Sequence, residues 1–140
     1  MPAKVLLKGE LEALLRVPTT VRQAEQILER NRKALRALKA GSRSTIRIGC
    51  PHCLDAADGL GRMRCGHCVY HDGMSYAMSC LDFQFGGYDA NDVRSVIKLY
   101  MDKIVVDGAM LAHPAAVVWL KGHIEWAQEV IKRAKKGARR

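Results

Sequence analysis

The sequence predicts an α+β fold, mostly α, with a helical hairpin and C-terminal helices set around a small β segment that carries two Cys-x-x-Cys pairs. Three observations predict it. Apolar residues recur at helical spacing toward both ends of the 140-residue chain. Short stretches in the middle alternate apolar and polar residues as strands do. Apolar residues make up 49% of the chain and aromatics only 6%, so the core is built of Leu, Val, Ile, Ala and Met, which suits helices better than a large sandwich. The length favours one compact unit of three segments. These are a helical hairpin over 1–43, a β segment over 44–88 and a helical segment with a basic tail over 89–140.

Residues 3–17 read as a helix through Leu7, Leu11, Leu14 and Leu15, and Pro18 stops it. Thr20 with Gln23 three residues on is a capping-box pattern, so a second helix is expected from about Val21 to Ala40, closed by Gly41. Ala34, Ile27, Leu38, Ala24, Leu35, Leu28 and Val21 share one arc of that helix, while Arg22, Arg30, Arg32, Lys33 and Arg36 lie on the rest with Glu25 and Glu29. Thr45–Ile48 alternates as a strand. Asp58 to Gly61 is a turn-rich connection, and Asp72-Gly73 is a hairpin signal. Met74 to Phe85 reads as a strand that slips phase at Cys80–Leu81, and Gly86-Gly87 ends it. Asp89 or Asn91 caps a third helix running to about Val105. His113-Pro114 opens the last helix. That helix has two apolar stripes: Val117, Leu120, Ile124, Ala127 and Ile131, and then Trp119, Trp126 and Val130. A helix apolar on two sides is sandwiched, and its second partner is either the N-terminal hairpin or a second copy of the chain in a homodimer.

Cys50-Pro51-His52-Cys53 is followed after eleven residues by Cys65-Gly66-His67-Cys68. Two residues between thiols let one tight turn aim both sulfurs at a point, and two such turns make the tetrahedron that zinc accepts at ~2.3 Å per bond. All four ligands come from protein, so the expected zinc is structural. A four-thiolate iron–sulfur cluster is the lesser alternative. With its flanking strands, the segment from about 44 to 85 resembles the zinc-ribbon family. The short gap fits a compact pair of knuckles equally well. Cys-Pro-His-Cys also resembles the active site of periplasmic disulfide oxidases, and Cys-Gly-His-Cys that of protein disulfide isomerases. Both families imply a thioredoxin fold with the first thiol at a helix N-terminus. Gly49 and Arg64 precede the pairs where those families have an aromatic, and no helix of useful length fits between Leu54 and Arg64. Redox thiol chemistry is therefore the least unlikely enzymatic reading of a chain expected not to be an enzyme.

The net charge of +9 is unevenly spread, with both ends strongly basic and the cysteine segment acidic. Lys132, Arg133, Lys135, Lys136, Arg139 and Arg140 crowd the last nine positions. No apolar run approaches the ~20 residues a membrane span needs, and no secretory signal opens the sequence. A cytoplasmic protein with metal-bound thiols is expected. His52, His67 and His71 are expected on the surface, Cys80 and His123 packed, and His113 at a helix start. The charge pattern predicts a small nucleic-acid-binding regulator, of the kind that acts in transcription, binding DNA or RNA. The contacts would come from Arg22, Arg30, Arg32, Lys33 and Arg36 and from the basic tail, with zinc as scaffold. The alternative is a protein-binding adaptor or inhibitor docking on a polymerase or nuclease through the acidic segment and the apolar helix stripes. Helices on both sides of a zinc knuckle also resemble the layout of some phage antitermination proteins.

Overall fold

A computed structural model describes residues 4–56, 80–100, 103–108 and 113–138. In chain order they form α1 (Lys8–Leu15), α2 (Val21–Lys39), β1 (Ile46–Ile48), α3 (Pro51–Ala56), α4 (Ala90–Val96), β2 (Ile97–Tyr100), β3 (Lys103–Val106) and α5 (Pro114–Ala138). The described chain is mostly helical, with one small antiparallel sheet. Cys65, Cys68, His67, His71, Arg139 and Arg140 lie outside the described residues, as do the expected turns at 58–61 and 72–73 and the start of the expected strand at 74–79.

The helix α1 is shorter than the expected 3–17. Its start is fixed by Glu10, whose carboxylate accepts the Leu7 N–H at 2.8 Å. Residues before it are drawn out along α5, where the Glu125 carboxylate accepts the N–H groups of Val5 and Leu6 at 2.7 and 3.3 Å. Gly122 permits this docking: a Cβ there would stand 2.9 Å from both Leu6 and Phe85. The same Glu10 carboxylate reaches the N–H groups of Gly86 and Gly87 at 2.9 and 3.3 Å, joining α1 to a turn 76 residues away.

The sequence reading of α2 holds at both ends. Gln23 N–H donates to Thr20 Oγ1 at 3.1 Å, and Thr20 N–H donates to the Gln23 side chain at 2.9 Å. At the far end Gly41 has φ 83°. Gly41 N–H bonds Leu38 O and Ser42 N–H bonds Ala37 O, the two bonds of a Schellman motif. Ala24, Ile27, Ala34 and Leu38 are buried against α5, the most extensive helix contact in the molecule.

Two expectations are corrected. The third helix starts as expected, with Asp89 and Asp92 capping each other's backbone N–H groups at 3.0 and 3.3 Å, but it ends at Val96 instead of Val105. Residues 97–100 and 103–106 instead pair as the antiparallel strands β2 and β3, with Ile97 opposite Val106 and Tyr100 opposite Lys103. β3 also pairs with β1, Ile48 opposite Ile104, giving the order β1-β3-β2. Each strand alternates, so Ile48, Ile97, Ile104 and Val106 share the buried face. The second correction is at 80–85, which turns instead of running as a strand. Cys80, Leu81, Phe83 and Phe85 are all buried, which a single strand face cannot provide for Cys80 and its neighbour Leu81. Phe85 and Tyr88 then exchange backbone hydrogen bonds across Gly86-Gly87, both at positive φ.

The two-striped helix α5 is sandwiched inside its own chain. Leu120 and Ala127 of one stripe and Trp119 and Trp126 of the other are all at most 1% exposed. Phe85 lies 5.9 Å from the Trp119 ring and 5.0 Å from His123, between ring centroids. Each such buried large side chain contributes about 1.5–3 kcal/mol of transfer free energy. No helix among the described residues is long and apolar enough to cross a membrane.

Candidate metal centre and nucleic-acid interface

The buried end of β1 delivers the first thiol pair. Cys50 directly follows Gly49, and Pro51 opens α3 at the position where a missing N–H costs nothing. The pair therefore opens a six-residue helix where the sequence reading had a bare turn. Cys50 and Cys53 are 7% and 4% exposed. The Cys50 thiol is held below its ordinary range. The chief cause is the hydrogen bond from the Cys53 thiol. Burial opposes it, and the backbone N–H groups of Cys53 and His52 and the charge of Arg30 support it. Backbone N–H donors on a sulfur at the start of a helix favour its thiolate form, which serves metal binding and redox chemistry alike.

Arg30 does not join the exposed cations of α2. It is half-buried, and its guanidinium donates to the Gly49 carbonyl just before the thiol pair. Gln23 adds a second tie, donating from Nε2 to Asp55 at 2.8 Å, so α2 holds the segment of the thiol pair on both sides.

His52 corrects the expectation of a solvated ring: it is 2% exposed. Thr19 Oγ1 donates to Val17 O at 3.1 Å, and His52 Nε2 lies 3.1 Å from the same hydroxyl oxygen. Burial pushes the His52 pKa down, and the charge of Asp55 partly restores it. The His52 ring centroid is 6.1 Å from Trp126, which is 5.7 Å from His123. His123 is packed as expected, with Nδ1 2.9 Å from the Trp119 carbonyl. Its pKa is lowered to about 4 by burial first, with Trp119 O opposing and His52 reinforcing. A row of rings thus connects the thiol turn to the centre of the fold. No local sequence signal announced it, because Thr19 and Trp126 are remote from His52 in the chain. His113 takes the expected helix-start role, its Nδ1 accepting the Ala115 N–H at 3.2 Å.

Of the four expected zinc ligands, the structure brings Cys50 and Cys53 together, and the other two lie outside the described residues. Among the described residues no group of three or more His, Cys, Asp or Glu is gathered as a metal site.

The expected nucleic-acid contacts divide into groups. Arg22, Arg32, Lys33 and Arg36 are exposed on α2. Lys132, Lys135 and Lys136 of α5 line an open groove of about 480 Å³ whose remaining lining is Leu28, Gln128 and Ile131. Arg133 is exposed and pairs with Glu129 at 3.0 Å, one turn back. That bond is the main cause of the lowered Glu129 pKa, with burial opposing it and Lys132, Arg133 and Lys4 adding their charges.

Compared with protein-family models, curated proteins and solved structures, the chain matches none.

Proposed function

We propose that the protein is a small zinc-containing nucleic-acid-binding regulator. Zinc on Cys50, Cys53, Cys65 and Cys68 is structural, and exposed cations of α2 and α5 contact phosphates. The observation that carries the binding half is the groove between these helices: among the described residues three lysines line it and no acidic side chain does. Phosphate is the ligand such a surface attracts without needing a shaped pocket. For the metal half, the support is a buried two-cysteine turn with backbone N–H donors on its first sulfur, joined to a second pair of the same spacing in the sequence. Trp119 and Trp126, the largest apolar side chains a docking helix could offer, are buried within the chain, which favours this reading over the adaptor alternative.

The test is binding of labelled DNA and RNA across a salt series. With about four phosphates neutralised, affinity should fall about a hundredfold between ~50 and ~200 mM salt. Reversing Lys132, Lys135 and Lys136 to Glu should weaken binding and flatten that dependence. Absence of binding at about 50 mM salt would remove the nucleic-acid reading.

A further inference from the structure

The sheet has a second face, turned away from the core. Its register places Arg47 opposite Val105 and Val105 opposite Lys98, one row across all three strands. The next row pairs Tyr100 with Lys103. Arg47, Lys98, Tyr100 and Lys103 are exposed and Val105 is half-buried. Strand alternation requires this: Ile48, Ile97, Ile104 and Val106 are committed to the core, so the residues between them point the other way. With strands ~4.8 Å apart and a rise of ~3.4 Å per residue, the four exposed side chains start within about 12 Å of one another.

The composition of this face is selective. Among the described residues of the two rows there are three cations and no carboxylate. Tyr100 is 61% exposed, the most exposed large apolar side chain described. A flat patch with an open aromatic ring among cations offers two complementary contacts to one ligand class. The cations attract phosphates, and the ring offers a face on which an unpaired base can stack. A duplex satisfies only the first, because its bases are already stacked on one another.

We infer that this sheet face binds single-stranded nucleic acid, with Tyr100 stacking on a base and Arg47, Lys98 and Lys103 holding the phosphates beside it. The inference rests on the nucleic-acid reading above and adds to it the state of the strand and a second contact surface. The sequence pattern concealed this face, because a helix over 91–105 would have scattered these residues around its circumference.

The experiment is fluorescence anisotropy of the full zinc-loaded chain with short oligothymidylate, oligouridylate and a mixed-sequence duplex. Tyr100→Ala should weaken single-strand binding about tenfold and leave duplex binding nearly unchanged. Tyr100→Phe, which keeps the ring, should stay within about twofold of the parent. Arg47→Glu with Lys98→Glu should reduce the salt dependence by about two phosphates. Circular dichroism and melting of each variant confirm that the fold is intact. Equal single-strand affinity for Tyr100→Ala and the parent overturns the inference, as does tighter binding to duplex than to either single strand. If the Lys132, Lys135 and Lys136 reversals abolish binding while the sheet variants do not, the sheet face is refuted and the nucleic-acid reading stands. If the parent binds nothing at about 50 mM salt, both fail.

Discussion

The surroundings of α5 and the turn at Cys50 are both buried, but different forces hold them. Around α5 the contacts are apolar and aromatic: Phe85, Trp119 and Trp126 fill space, and their removal would leave cavities. At the thiol turn the contacts are polar: Arg30 on the Gly49 carbonyl, Thr19 beside His52, Gln23 on Asp55, and one thiol on the other. The first region is stable through area removed from water, which a chelator does not disturb. The second depends on charge states and on sulfurs with a high affinity for metal. The two regions should therefore fail under different challenges, loss of a buried ring in one and removal of the proposed metal in the other.

The largest expected effect falls on the apolar side. Trp126→Ala should cost about 3–5 kcal/mol in denaturant unfolding, because a fully buried ring is lost and the site cannot collapse completely. It should also loosen the thiol turn, since Trp126 lies against His52. A cost near zero would mean that α5 is not the centre of the fold.

Acid probes the ring row that connects the two regions. The folded pKa of His123 is about 4, below the ordinary 6.5. The fold therefore favours the neutral ring. Its contribution is complete above about pH 6.5 and is lost as pH falls toward 4, amounting to about 3 kcal/mol. His52 shifts in the same direction. Unfolding midpoints should be level from about pH 7.5 to about 6.5 and then fall down to about 4.5, and His123→Gln should flatten that slope. A flat profile in the parent would contradict burial of the neutral rings.

Smaller effects separate the polar region from the core. Arg30→Met keeps the side-chain stem and removes the guanidinium. It should lower zinc affinity about 10- to 100-fold, with a smaller loss of stability, because Arg30 supports the backbone next to a ligand. Competition with a chromogenic chelator measures this, and unchanged affinity would place Arg30 outside the site. Gln23→Ala loses half of the α2 cap and the tie to Asp55, both exposed, and should cost about 1 kcal/mol by thermal melting.

What could be read from the sequence follows from how local each signal is. Both ends of α2 were legible because Thr20, Gln23 and Gly41 act on neighbours within a turn. Residues 97–106 were not. Val93, Val96, Ile97, Tyr100 and Ile104 also fit helical spacing, and what decides for strands is pairing of β3 with Ile46–Ile48, more than fifty residues earlier. The Cys-x-x-Cys spacing identified the thiol turn by itself. The burial of His52 depends on Thr19 and Trp126, which only the fold brings near. A helical wheel placed Arg30 among the cations without showing that the Gly49 carbonyl lies opposite.

The account depends most on the metal, so metal content is its most direct test. Protein purified without added zinc should hold one zinc per chain by elemental analysis, and changing any one of Cys50, Cys53, Cys65 or Cys68 to Ser should release it, whereas Cys80→Ser should not. Metal-free protein whose four thiols titrate freely, with circular dichroism unchanged in strong chelator, would contradict it.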